Sequence, residues 1–207
     1  MMDRIAKSDL APPERPDTED VPTERLLSLT QGLSRTLALA GGFLILGAGA
    51  LVAVEIFARK VLGGSTGIAD ELTAYALAIG STMAFPYCLV ERGHIRVDSV
   101  VRFLPRPLRT ALDLLALASI TGFFAVVAFH AAETALVSFE RGARAVTLLQ
   151  TPLFIPQGIW ALAYVIFVLT GIAIFLVAVS RLIRRDPKGV KSLIGPRSGK
   201  DEAEAHL

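Results

Sequence analysis

Few residues in this chain are of a type that could do chemistry, and most of them sit at the edges of long apolar stretches. Glu55 and Arg59 stand one helical turn apart, the spacing of an i, i+4 ion pair. Asp70 and Glu71 are adjacent acids just before another apolar stretch. An ionisable residue inside a membrane is a functional candidate by default. Close to an interface that default weakens, so Glu55–Arg59 is expected to anchor its helix, or to meet a partner subunit or the segment near Asp70 and Glu71. His94 follows Gly93 in the run Arg92-Gly93-His94-Ile95-Arg96-Val97-Asp98. It could titrate near neutral pH or ligate a metal. No second ligand lies near it in sequence, so it is expected to bond backbone carbonyls at a helix end, with Gly93 supplying a turn of positive φ. His130 with Glu133, and Trp160 with Tyr164, are expected to pack or to line an interface. Cys88 is the single cysteine, so no internal disulfide is possible, and a small buried apolar role is expected. There is no phosphate-binding glycine loop, no metal-ligand cluster and no nucleophile with a base at usable spacing. The expectation is no enzyme, no cofactor, no metal and no nucleic-acid partner.

The elements that must position these residues are long and apolar. The chain has 207 residues, 53% of them hydrophobic, with a mean hydropathy of +0.55. Both ends are polar, so the middle is more apolar than the average. Four segments reach the roughly 20 apolar residues a bilayer requires: Thr36 to Leu62, Ile68 to Val90, Thr110 to Phe139, and Pro152 to Ser180. The first 35 residues, with prolines at 12, 13, 16 and 22, are expected to be a disordered tail rather than a signal peptide. A four-helix transmembrane domain is expected over 36–185 and a polar tail over 186–207. Only four of the 21 Lys and Arg fall at the first–second or third–fourth connections: Arg59 and Lys60 at the end of the first stretch, Arg141 and Arg144 between the third and fourth. The positive-inside rule therefore places both termini and the middle loop in the cytoplasm. Gly41, Gly42, Gly47 and Gly49 form a small-residue face on the first span, suited to close approach by lipid or another helix.

That middle loop has a pattern of its own. Val97, Val100, Val101 and Leu104 share one face of a helix, and Asp98 and Arg102 pair on another. Pro105 ends the helix and Pro107 suits the first turn of the next. The fold expected is all-α, with four transmembrane helices and a short amphipathic helix flat on the cytoplasmic interface, its arginines facing anionic phospholipid.

The run Arg92-Gly93-His94-Ile95-Arg96-Val97-Asp98, then Leu104-Pro105 and Arg109, resembles the small membrane subunit, of DctQ type, of the tripartite ATP-independent periplasmic (TRAP) transporters. Glu55 with Arg59 and Asp70-Glu71-Leu72 fit the same pattern, and the resemblance covers about Leu39–Arg185. Two departures concern the second span: it lacks the tryptophans common in relatives, and Pro86 interrupts it, implying a kink or an unpaired carbonyl. The resemblance implies an accessory subunit in the bacterial inner membrane. Its partners would be a large permease subunit and a periplasmic substrate-binding protein, with uptake of an organic acid driven by an ion gradient. It also implies an interface role for Glu55, Arg59, Asp70, Glu71, Arg92, Gly93, His94, Ile95, Asp98 and Arg102. Two alternatives are a membrane anchor of a respiratory enzyme and a small proton-coupled exporter. The anchor needs axial histidines at one depth, which His94 and His130 do not offer. The exporter needs a carboxylate at mid-membrane, and Glu55 is too near an end.

Overall fold

A computed structural model describes residues 21–64, 67–91 and 105–184, together with Gly189 and Leu193. Four helices carry the chain: α1 (Val21–Leu62), α2 (Ala69–Val90), α3 (Arg106–Glu140) and α4 (Phe154–Ile183). Each is long and apolar enough to cross a membrane. There is no β-strand among the described residues, only one antiparallel bridge between Arg144 and Pro152. The interfacial helix expected within 97–104 lies outside the described residues, as do Arg92, Gly93, His94, Ile95, Asp98 and Arg102.

Helix α1 corrects one expectation. Residues 21–35, assigned to an unstructured tail, are helical. The physical reason is continuity. Extending an existing helix gains one hydrogen bond per residue fixed and avoids the cost of a nucleus, and Pro22 sits in the first turn, where its missing N–H is harmless. With 42 residues, α1 is about 63 Å long, roughly twice the hydrocarbon thickness.

The helices are neighbours in the order α1–α2–α4–α3, so α2 and α4 form the middle of the array. Half of the most apolar window of α4 is buried, against 11% for α1. On α1 the buried residues recur every seven positions: Ser34, Gly41, Ala48 and Glu55. On α3, Leu117, Thr121, Ala128, Ala131 and Ser138 follow the same period. A seven-residue repeat is the seam of left-handed helix packing. Lipid tails are as apolar as leucine, so contact depends on close approach rather than on hydrophobic burial. Gly41 and Gly80 provide it: a Cβ on Gly41 would collide with the Gly80 carbonyl, and one on Gly80 would lie 2.8 Å from the Gly41 oxygen. Gly42, Gly47 and Gly49 have nothing within 4 Å of such a carbon, so only one member of the expected small-residue face makes the crossing.

Aromatic rings join α2, α3 and α4. Phe124 lies 4.4 Å from Phe167, 5.6 Å from Tyr164 and 5.7 Å from Phe85, centroid to centroid. Pro86 is fully buried beside this cluster, and α2 continues through it to Val90. Cys88, expected to be buried, is exposed on α2, because α2 turns its other face to α1 and α4.

Candidate functional site

The polar chemistry of the described residues concentrates at the end of the array formed by the α1–α2 turn and the α3–α4 loop. Helix α2 starts there without a side-chain cap, and Asp70 and Glu71 occupy its first turn, where negative charge complements the helix dipole. The two acids part ways. Asp70 is exposed and Glu71 is buried. The Tyr75 hydroxyl, one turn on, donates to Glu71 Oε1 at 2.9 Å. The Thr147 hydroxyl donates to Glu71 Oε2 from the α3–α4 loop, 76 residues away in sequence. Thr151 stands close by. A carboxylate is an acceptor only, and a buried one is tolerated when donors satisfy it. Held this way, Glu71 is an anchor rather than a free base.

The loop that supplies Thr147 is built from local turns. At the end of α3, Gly142 takes φ +59°, its N–H donates to the Phe139 carbonyl at 3.1 Å, and Ala143 N–H donates to Ser138 at 2.9 Å. This is a Schellman closure, which favours glycine at that position. The chain then doubles back: Ala145 N–H donates to Thr151 at 3.0 Å and Leu153 N–H to Ala143 at 3.0 Å. A turn closes the tip, with Gln150 N–H donating to Thr147 at 3.2 Å and Gln150 itself at φ 48°. Arg144 reaches the Gln150 carbonyl at 3.4 Å. The Leu148 side chain lies over Gly67 of the α1–α2 turn, where a Cβ would come within 2.6 Å of it. Gly67 has φ +65°, so two constraints call for glycine there.

Glu55 closes the α1 seam at the same end. It is buried and accepts from Arg59 at 3.4 Å, while the arginine is mostly exposed. His130 and Glu133 pair at 3.1 Å on the exposed face of α3. Tyr164 is buried and packs edge-on against Trp160 at 5.1 Å. Between α2 and α4 a small cavity of about 130 Å³ is lined by Tyr75, Gln157 and Trp160, and the Gln157 Oε1 atom is buried without a hydrogen bond. A larger apolar groove of about 380 Å³ runs between α1 and α2, past Phe43, Leu51 and Ile79. Among the described residues, no three of His, Cys, Asp and Glu gather as metal ligands would.

Of the residues singled out by sequence, Glu55, Arg59, Asp70 and Glu71 thus fall at one end of the array. Tyr75 and Thr147 escaped sequence reasoning. A tyrosine one turn after a helix-opening acid is a weak signal, and a threonine in a distant loop is none.

Comparison with curated proteins and with solved structures gives no match. The family described as tripartite ATP-independent periplasmic transporters, DctQ component, matches residues 48–185, from the middle of α1 through the end of α4. The four membrane-length helices fit a multi-pass protein of the inner membrane. On that match, covering the greater part of the chain, the protein belongs to the DctQ family and is a small membrane subunit of a TRAP transporter.

Proposed function

We propose that this chain packs against the large permease subunit of a TRAP transporter and supports binding-protein-dependent uptake of an organic acid, driven by an ion gradient. The observation that carries the accessory role is where the charge is buried. The buried charged residues among those described are Glu55 and Glu71, both toward the loop end. A chain that moved a charged solute by itself would be expected to keep polar or broken-helix elements at mid-depth. Helices α1 and α3 instead turn many large apolar side chains outward, among them Phe43, Leu46, Phe123 and Phe129, surface suited to lipid and to a membrane partner.

The distribution of Lys and Arg supports cytoplasmic termini, which puts the α1–α2 turn and the α3–α4 loop in the periplasm. There they can meet a periplasmic binding protein. The 92–102 strip, with Arg92, Gly93, His94, Ile95, Asp98 and Arg102, serves as an assembly and membrane-surface element, its arginines facing anionic phospholipid. Glu55, Arg59, Asp70 and Glu71 shape the periplasmic end of the interface. A tagged chain purified in mild detergent tests this reading. A large polytopic membrane protein should co-purify at near-stoichiometric yield, and its absence would sink the proposal.

A further inference from the structure

One polar atom near the start of α4 lacks what its chemistry requires. Gln157 Oε1 is buried and takes no hydrogen bond. An amide oxygen only accepts, and away from water an unmet acceptor is costly. Gln157 lines the cavity of about 130 Å³ between α2 and α4. A water molecule claims about 30 Å³, so the space admits a group of several heavy atoms. Ala78, Ile79, Leu153 and Pro156 make much of the remaining wall apolar.

The cavity adjoins a second space. Tyr75 and Ile79, one turn apart on α2, line both it and the apolar groove of about 380 Å³ between α1 and α2. Gln157 stands three residues into α4, about 4.5 Å from its start. The groove runs from Leu51 back to Phe43, about 12 Å along α1 toward its middle. Gly47 lines the groove, and a Cβ there would meet nothing within 4 Å. A polar pocket at the shallow end and an apolar channel leading inward suit an amphiphile. Tyr75 and Trp160 each stand six residues into their helices, about 9 Å deep, and such rings gather at headgroup level.

The sign of the headgroup follows from its neighbours. The orphan atom asks for a donor. The Tyr75 hydroxyl already donates to the Glu71 carboxylate at 2.9 Å, so it has only lone pairs left to offer, with a negative charge one hydrogen bond behind it. That setting favours a cationic donor and disfavours an anion. A transmembrane helix laid on the groove would spend its backbone donors internally and leave Gln157 unpaired.

We infer that the cavity and the groove together bind one phospholipid with a primary ammonium headgroup, in the leaflet at the loop end. The ammonium donates to Gln157 Oε1 and an acyl chain lies in the α1–α2 groove.

Trp160 is the single tryptophan of the chain and lines the cavity, so its fluorescence reports on this site. The full chain, purified in detergent, is titrated with brominated phosphatidylethanolamine, phosphatidylcholine or phosphatidylglycerol, whose bromines quench a neighbouring indole. Phosphatidylethanolamine should quench at about tenfold lower concentration than the other two, the scale of one hydrogen bond from a charged donor. Gln157→Leu removes the acceptor at similar volume and relieves an unpaired oxygen, and should bring the three lipids together. Gly47→Leu fills open space and should weaken quenching by all three at an unchanged unfolding midpoint. Equal quenching by the three lipids in the wild-type chain overturns the inference, leaving only annular lipid or water at the cavity. So does a preference that survives Gln157→Leu. Native mass spectra of the chain co-purified with its large subunit should show phosphatidylethanolamine retained in the wild type and lost in Gln157→Leu. A wild-type complex that retains none would make the groove a protein contact and also overturn the inference.

Discussion

Glu71 shows how much one buried carboxylate can organise when its donors come from different parts of the chain. Its two oxygens take hydroxyls from Tyr75, one turn away, and from Thr147 in the last loop. Removing the carboxylate would break both hydrogen bonds, at about 0.5–1.5 kcal/mol each, because Tyr75 is half-buried and Thr147 exposed and water can take up the freed hydroxyls. Glu71→Ala is therefore expected to lower the unfolding midpoint in detergent and to speed proteolysis between Arg141 and Arg144. Glu71→Gln keeps an acceptor oxygen and should fall between Ala and wild type. If Ala and wild type share a midpoint and a cleavage rate, the anchor contributes nothing. An acid pair opening a span is plain from the residues 70 and 71. That Glu71 is the buried one is not, because burial depends on a hydroxyl 76 positions away. The Glu55–Arg59 pair was more accessible to reasoning, since both partners lie on one helix turn.

Among the elements, α1 is held by a narrow seam. Gly41 on α1 and Gly80 on α2 bring the backbones together, and no side chain fits between them. Gly41→Leu should force the helices apart and destabilise the fold by about 1–3 kcal/mol, the usual range for overpacking a tight contact. Gly42→Leu, whose added carbon meets nothing within 4 Å, should leave the midpoint where it is. Thermal unfolding of the two variants in one detergent separates them, and equal midpoints would mean the crossing is loose enough to adapt. The glycine-rich face was visible in sequence, but not which glycine would make the contact. In a membrane span nearly every face is apolar, so the hydrophobic periodicity that marks the buried side of a soluble helix is faint. The early start of α1 has a related cause. Composition near Val21 resembles a polar tail, and the helix forms there as an extension of the stable span.

For the whole molecule, the excess of positive charge in the tails and middle loop predicts an orientation that can be measured. In a Cys88→Ser background, Val146→Cys should react with a membrane-impermeant maleimide in intact spheroplasts. Ser28→Cys, on the terminal side of α1, should react only after permeabilisation. The opposite pattern would invert the topology, and with it the assignment of the loop end to the periplasm. The four spans follow from run length, and the proposed inside termini rest on the same charge count. The array's internal order does not follow from counting: α4 enters between α2 and α3, and the α3–α4 loop consequently crosses the roof to reach Glu71 and Gly67.

Taken by itself, the sequence determined that the protein is an all-helical membrane protein with four spans, and its short motifs pointed to the family that the match over 48–185 then showed. Those features are local. Run length, charge placement and residue order are complete within a few dozen positions. The tertiary structure alone decided that α2 and α4 lie inside, that Gly41 meets Gly80, that Cys88 faces outward, and that Thr147 closes on Glu71. Each of these joins segments far apart in the chain through contact distances of a few ångströms, and in an apolar solvent hydrophobicity no longer distinguishes the faces that will touch.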